Sequence, residues 1–284
     1  MTKMKQHEQD NREAQRMYYE MIESELFVSL DKEVEKPPIA ISIGEHQYRT
    51  PKGTFTEETP MATYGNFTFI QAPPKSYKSF FVSLLASVYL TSENKWAGTK
   101  FKSRRGGKRL LHFDTEQGQW HCQRAFRRVA DMAETRDGYE TYALRTLGYK
   151  DRLGFIEHKL YETEENDIGL IIIDGIADLV SDVNDIVQSN EVIQRLMKWS
   201  SEKQCHIITV IHSNWGSDKP TGHLGSFAEK KAETQISLER DEETNVIGVK
   251  CKRSRNFGFE DFEFKVNSLG YPEVIGVDYP ELDW

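Results

Sequence analysis

What this sequence lacks narrows its class before any motif is considered. No stretch approaches the ~20 consecutive apolar residues of a membrane span, so no transmembrane helix is expected. Met1 to Arg16 is almost wholly polar, which excludes the apolar centre of a secretory signal. The 284 residues contain three cysteines, Cys122, Cys205 and Cys251. They lie far apart with no C-x-x-C pair, so a disulfide framework and a cysteine metal site are both excluded and a reducing, cytoplasmic setting is expected. There is no internal repeat and no low-complexity tract. Positive charge is in deficit: the net charge of −8 argues against a chain coated in cations for nucleic acid. Basic residues gather in two places, Lys95 to Arg109 and Lys250 to Arg255, as local basic rims or as ordinary solvated loops.

A hydrophobic share of 38% over this length allows one large domain with appendages or two small domains. Tyr18, Ile22 and Leu26 recur at helical spacing, which predicts a charged helix ended by Pro37-Pro38. Residues 39–55 pattern as a small hairpin and Thr56 to Gly65 as a polar linker. The division expected is therefore a helical extension over 1–38, hairpin and linker over 39–64, and the main domain over 65–284. In that domain, short buried strands at Phe67, Arg109–Asp114, Asp167–Asp174 and His206–His212 alternate with helical patterns at Lys78–Thr91, Trp120–Met132 and Val187–Lys203. Leu153 to Tyr161 is a further helix or strand. Three successive strands follow, at Thr234–Arg240, Val246–Lys252 and Phe262–Val266. The pattern predicts an α/β fold: a mostly parallel sheet with helices on both faces and a C-terminal antiparallel meander.

The stretch from Phe67 to Ser79 reads strand, Pro-rich turn, Lys-Ser, helix. That is the layout of a P-loop, in which turn amides and a helix N-terminus cradle phosphates, the lysine reaches the terminal phosphates and the hydroxyl joins Mg²⁺. Ala72, Pro73, Pro74, Lys75, Ser76, Tyr77, Lys78 and Ser79 form that turn, with Lys78 and Ser79 in the last two roles. Aligned to G-x-x-x-x-G-K-[ST], both glycines are replaced, by Ala72 and Tyr77. A tyrosine resists the backbone conformation that a glycine supplies there.

In an open parallel sheet, ligands sit at the carboxyl ends of the strands. Those ends carry Lys78-Ser79, then Asp114 and Glu116, then Asp174, then His212-Ser213-Asn214. Phosphoryl transfer needs a cation for the phosphates, an acid for Mg²⁺, a carboxylate to orient water and a group that senses the terminal phosphate. Lys78, Asp174 and Glu116 fit the first three, with His212 or Asn214 as the fourth. Singly, Asp174 also fits a helix cap, Glu116 an exposed loop acid and His212 a core histidine.

In collinear order these stretches resemble RecA-fold P-loop ATPases of the hexameric-helicase type, nearest the RepA-like plasmid helicases and more distantly those of the DnaB kind. The matching segments are Gly65–Ser79, Leu111–Glu116, Leu170–Leu179, Val210–Asn214, Gly222–Ser226 and Arg253–Asn256. The resemblance implies an ATP- and Mg²⁺-dependent motor or loader on single-stranded DNA, in replication or mobilisation of a genetic element. It implies a homo-oligomer, such helicases forming hexameric rings. Glu116 would activate water, and Asp174 with Ser79 would hold the metal. Lys252, Arg253 and Arg255 would reach a neighbouring subunit's ATP site, and Ser213 to Phe227 would be a channel-lining loop. The replaced glycines leave open a DNA-binding or adaptor module without turnover, and a small-molecule kinase stands as a third reading.

Overall fold

The computed structural model describes residues 2–91, 94–98, 100–162, 166–213 and 219–276. The chain divides into two units, up to Lys36 and from Pro37 on. The first carries helix α1 (Thr2–Leu26), which has an exposed Arg16–Glu20 pair one turn apart. The helix stops well short of Pro37, correcting the expected boundary. Val28 is β-branched, and the Asp31 N–H donates to Ser29 Oγ; a local side-chain turn of this kind competes with helix continuation. No helix among the described residues is long and apolar enough to cross a membrane.

The second unit opens with a hairpin, β1 (Ile39–Thr50) and β2 (Gly53–Thr63). The segment expected as a polar linker is thus mostly strand. Its outer half is exposed, so it lacks apolar alternation, and cross-strand contacts define it instead: Tyr48 stands opposite Phe55 and its hydroxyl donates to Glu57. Next come β3 (Phe67–Ala72) and α2 (Lys78–Leu90). A short strand, β4 (Phe101–Ser103), lies inside the basic segment that reads as a loop. It pairs with β1, and Phe101, flanked in sequence by Lys100 and Lys102, is buried in the apolar core edge-on to Phe262.

The remaining order is β5 (Arg109–Asp114), α3 (Gln119–Ala133), β6 (Tyr139–Ala143), α4 (Tyr149–Leu160), β7 (Ile168–Asp174), α5 (Ile186–Lys203), β8 (His206–His212), α6 (Gly222–Lys231), β9 (Thr234–Arg240), β10 (Ile247–Ser254), β11 (Phe262–Val266) and β12 (Pro272–Val274). The main sheet runs β12-β11-β10-β9-β3-β8-β7-β5-β6. Strands from β9 to β6 in that order are parallel, and β10, β11 and β12 extend the sheet as an antiparallel meander. The expected α/β class holds, with one refinement: β9 joins parallel to β3, because α6 carries the chain back across the sheet before it.

Period-two alternation explains the two cores. Ile70, Leu110, Leu170, Ile172, Ile208 and Val210 face α2, α3 and the hairpin. Phe69, Leu111, Phe113, Ile171, Ile173 and Ile207 face α4, α5 and α6, packed on Trp199 and Leu196. Burial on both faces requires the continuous apolar runs of these strands. Helix α6 corrects the expected loop over its last part, from Gly222 to Phe227; residues 214–218 of that expected loop, including Asn214, lie outside the described residues. Gly222 is left-handed (φ +67°), and a Cβ there would sit 2.6 Å from the Val183 carbonyl. The glycine that reads as loop composition instead lets the helix approach its neighbour, burying Leu224 and Ala228.

Candidate functional site

The Pro-Pro turn joins β3 to α2 with two non-glycine residues in the left-handed region, Lys75 (φ +62°) and Tyr77 (φ +61°). Such residues cost roughly 1–3 kcal/mol each unless their surroundings hold them. Two contacts brace the turn, as Ser76 Oγ donates to the Pro73 carbonyl at 2.6 Å and Lys78 Nζ to the same oxygen at 2.9 Å. Tyr77 therefore takes the conformation that its side chain resists. Its ring packs on Phe80 at 5.2 Å, with the Arg240 guanidinium 4.8 Å from its centre.

Register brings the strand ends level: Ala72 pairs with His212, and Asp114 with Asp174. Ser79 Oγ donates to Asp174 Oδ2 at 2.9 Å. Burial, then the nearby Asp114, pushes the Asp174 carboxyl up to about 7. Asp114 is itself raised by burial, although the Glu116 and Gln117 amides donate to it at 3.0 and 2.8 Å.

His212 bridges the remaining pair. Its Nδ1 lies 3.0 Å from Lys78 Nζ and its Nε2 3.4 Å from Glu116 Oε1. An ammonium only donates, so Nδ1 accepts and the Nε2 proton faces Glu116. That contact, chiefly, holds Glu116 below the usual carboxylate range. Burial lowers Lys78, opposed by Glu116 and Asp174.

Close approach of the two acidic strand ends depends on Gly175. It is left-handed (φ +109°), and a Cβ there would meet Thr115 Oγ1 at 2.2 Å and Glu116 Cγ at 2.9 Å. Thr115 Oγ1 lies 2.8 Å from the Gly175 carbonyl.

Lys78, Ser79, Glu116, Asp174 and His212 all line one cleft of about 620 Å³, within the usual range for small-ligand sites of ~300–1,000 Å³. His121, Arg124 and Arg128 of α3 and Arg240 of β9 also line it. The sequence reading gave these four no role; the first three recur at helical spacing on one face, which was the available signal. Arg128 lies 3.8 Å from the Phe80 ring centre. Burial, then Arg124, lowers its guanidinium to about 10.

Arg253 and Arg255 lie elsewhere. Strand β10 runs antiparallel to β9, with Ser254 opposite Thr234, so both arginines sit at the amino ends of the parallel strands, away from the cleft. Arg253 pairs with Glu229 at 3.2 Å, and Arg255 donates to the Lys231 carbonyl at 2.8 Å.

Comparison with known proteins follows the same lines. The family described as AAA domain matches residues 60–218, a span that takes in the Pro-Pro turn, both acidic strand ends and His212. Among solved structures, the crystal structure of the RadB recombinase is similar with a TM-score of 0.51 at 14% identity, covering 74% of this chain and 91% of that one. At such identity the likeness is one of fold. No curated protein matches by sequence.

Proposed function

The chain belongs to the AAA domain family, and from that premise we propose that it is an ATP- and Mg²⁺-dependent, oligomeric RecA-type motor or loader acting on single-stranded DNA in replication or mobilisation of a genetic element. The observation that carries this reading is the meeting of Lys78, Ser79, Glu116, Asp174 and His212 in one cleft at the carboxyl ends of β3, β5, β7 and β8. One protein of similar fold, RadB, is a recombinase, which supports nucleic acid as the kind of partner.

The donor set fits the implied ligands. Lys78 and the amides at the start of α2 suit phosphate oxygens, while Ser79 Oγ and Asp174 Oδ2, 2.9 Å apart, are hard oxygens suited to Mg²⁺. The bound ion supplies neutralisation of the phosphate charge. Glu116, held ionised by His212, orients the attacking water and accepts its proton. His212 contacts both Glu116 and Lys78, so a phosphate that draws Lys78 away is felt at Glu116. Arg253 and Arg255 act on a neighbouring copy's cleft.

ATP hydrolysis with and without single-stranded DNA, read beside particle mass in solution, tests the assignment. DNA-stimulated turnover by an oligomer, abolished in Lys78→Ala, is expected. A parent chain without nucleotide affinity, or a Lys78→Ala chain that behaves as the parent, overturns it. The left-handed Tyr77 favours a second reading, a non-catalytic DNA-binding or adaptor module, which any DNA-stimulated hydrolysis removes.

A further inference from the structure

Four side chains of the cleft form a continuous line of contacts. Arg240 lies over Tyr77, Tyr77 meets Phe80, and Arg128 lies over Phe80. The end of β9 and the middle of α3 are thereby linked across the start of α2. Neither terminal guanidinium has a carboxylate within ion-pair distance among the described residues. Arg240 donates to Asn245, while its Nε is buried without a partner. Arg128 donates to Ser83 Oγ at 3.2 Å. A cation partly withdrawn from water without a counter-ion is unfavourable unless an anion completes its surroundings. The backbone points the same way, since Tyr77 holds a left-handed conformation that glycine would adopt freely. A strained residue kept in a binding cleft signals a use for its side chain.

We propose that Arg240 and Arg128 are phosphate-binding groups of this cleft, positioned by the Tyr77–Phe80 pair, so that a single chain holds a polyphosphate with cations outside the P-loop. The inference deepens the nucleotide reading above and rests on it. Guanidinium groups suit the task because their paired N–H donors match two phosphate oxygens at once. With their aromatic supports they are also partly ordered before the ligand arrives. Tyr77 then replaces the usual glycine with a bracket for Arg240.

Calorimetric titration of the full chain with ATP, inorganic tripolyphosphate and adenosine tests this on the parent, Arg128→Gln, Arg240→Gln and the two Arg→Lys variants, with melting curves to verify folding. Each Gln variant is expected to bind both ATP and tripolyphosphate about tenfold more weakly, each Lys variant less so, and adenosine is expected to be indifferent to all of them. Loss for ATP but not tripolyphosphate means that the guanidiniums meet the base and overturns the phosphate assignment. So do Gln variants that match the parent, or Lys variants as weak as Gln. A parent that binds neither ATP nor tripolyphosphate sinks the nucleotide reading itself, an outcome distinct from a parent that binds both and is insensitive to the two arginines.

Discussion

Acid should loosen this protein through His112, the buried histidine of the strand that leads into Asp114 and Glu116. Its side chain is 3% exposed, with Nδ1 3.0 Å from the Tyr139 hydroxyl and the ring edge-on to Phe126 at 4.8 Å. Burial lowers its pKa from 6.5 to about 3. The native state therefore holds the neutral ring where the unfolded chain takes up a proton. Above pH 6.5 there is no penalty; as pH falls toward 3 the unfolded state gains protons first, and stability declines by roughly 1.4 kcal/mol per pH unit. The loss reaches about 2 kcal/mol near pH 5 and about 4 kcal/mol near pH 3. His206 is also buried and lowered, so it contributes in the same direction, and a difference between parent and variant isolates His112. Urea unfolding of the parent and of His112→Gln, which cannot titrate, at about pH 7.5 and about pH 5 measures it. The parent should lose about 2 kcal/mol more than the variant; identical pH dependence in the two would show that His112 carries no such penalty.

Three further outcomes are expected. Tyr77→Gly restores the usual P-loop glycine and relieves the left-handed strain, yet should weaken ATP binding about tenfold by unseating Arg240; tighter binding in a titration would refute the bracket role. Gly175→Ala should destabilise the fold by about 1–3 kcal/mol, since its Cβ overlaps Thr115 Oγ1, and should lower turnover by displacing Glu116; urea midpoints equal to the parent's would contradict the contact. Lys78→Ala and Arg255→Ala should each be poor ATPases alone, and mixing them should recover activity because one supplies an intact cleft and the other an intact arginine. A mixture no more active than its parts would place Arg255 outside the reaction.

Strands buried on both faces were legible in the sequence, because Ile171-Ile172-Ile173 and Ile207-Ile208 leave few alternatives to a parallel interior. Lys78, Ser79, Glu116, Asp174 and His212 were legible through the position of strand ends. Four things were hidden. Strand β2 is exposed along its outer half and carries no alternation. Strand β4 is three residues long, with Phe101 its one buried side chain. Helix α6 is seated by glycines, which locally signal a loop. The fourth was the conformation of Tyr77, since intrinsic preference argues against φ +61° and the bracing of the turn on the Pro73 carbonyl, together with the ring's contacts with Phe80 and Arg240, holds it. Arg128 and Arg240 belong to elements more than a hundred residues apart in a chain of 284, and only the tertiary fold unites them.

Sheet polarity constrains any assembly in which Arg253 and Arg255 serve a second copy. The cleft lies at the carboxyl ends of the parallel strands, and the two arginines lie at their amino ends. A two-fold dimer whose sheets run antiparallel sets each chain's arginines beside the other's cleft, in two reciprocal contacts. A heterologous interface makes the same contact once per chain and repeats from chain to chain, closing as a ring or continuing as a filament. The cations already present on one chain's own cleft, Lys78, Arg128 and Arg240, would then govern binding, and the arginines of the next chain would govern turnover. Nucleotide affinity should therefore be independent of protein concentration while hydrolysis is not, and that separation follows from where β10 places its end.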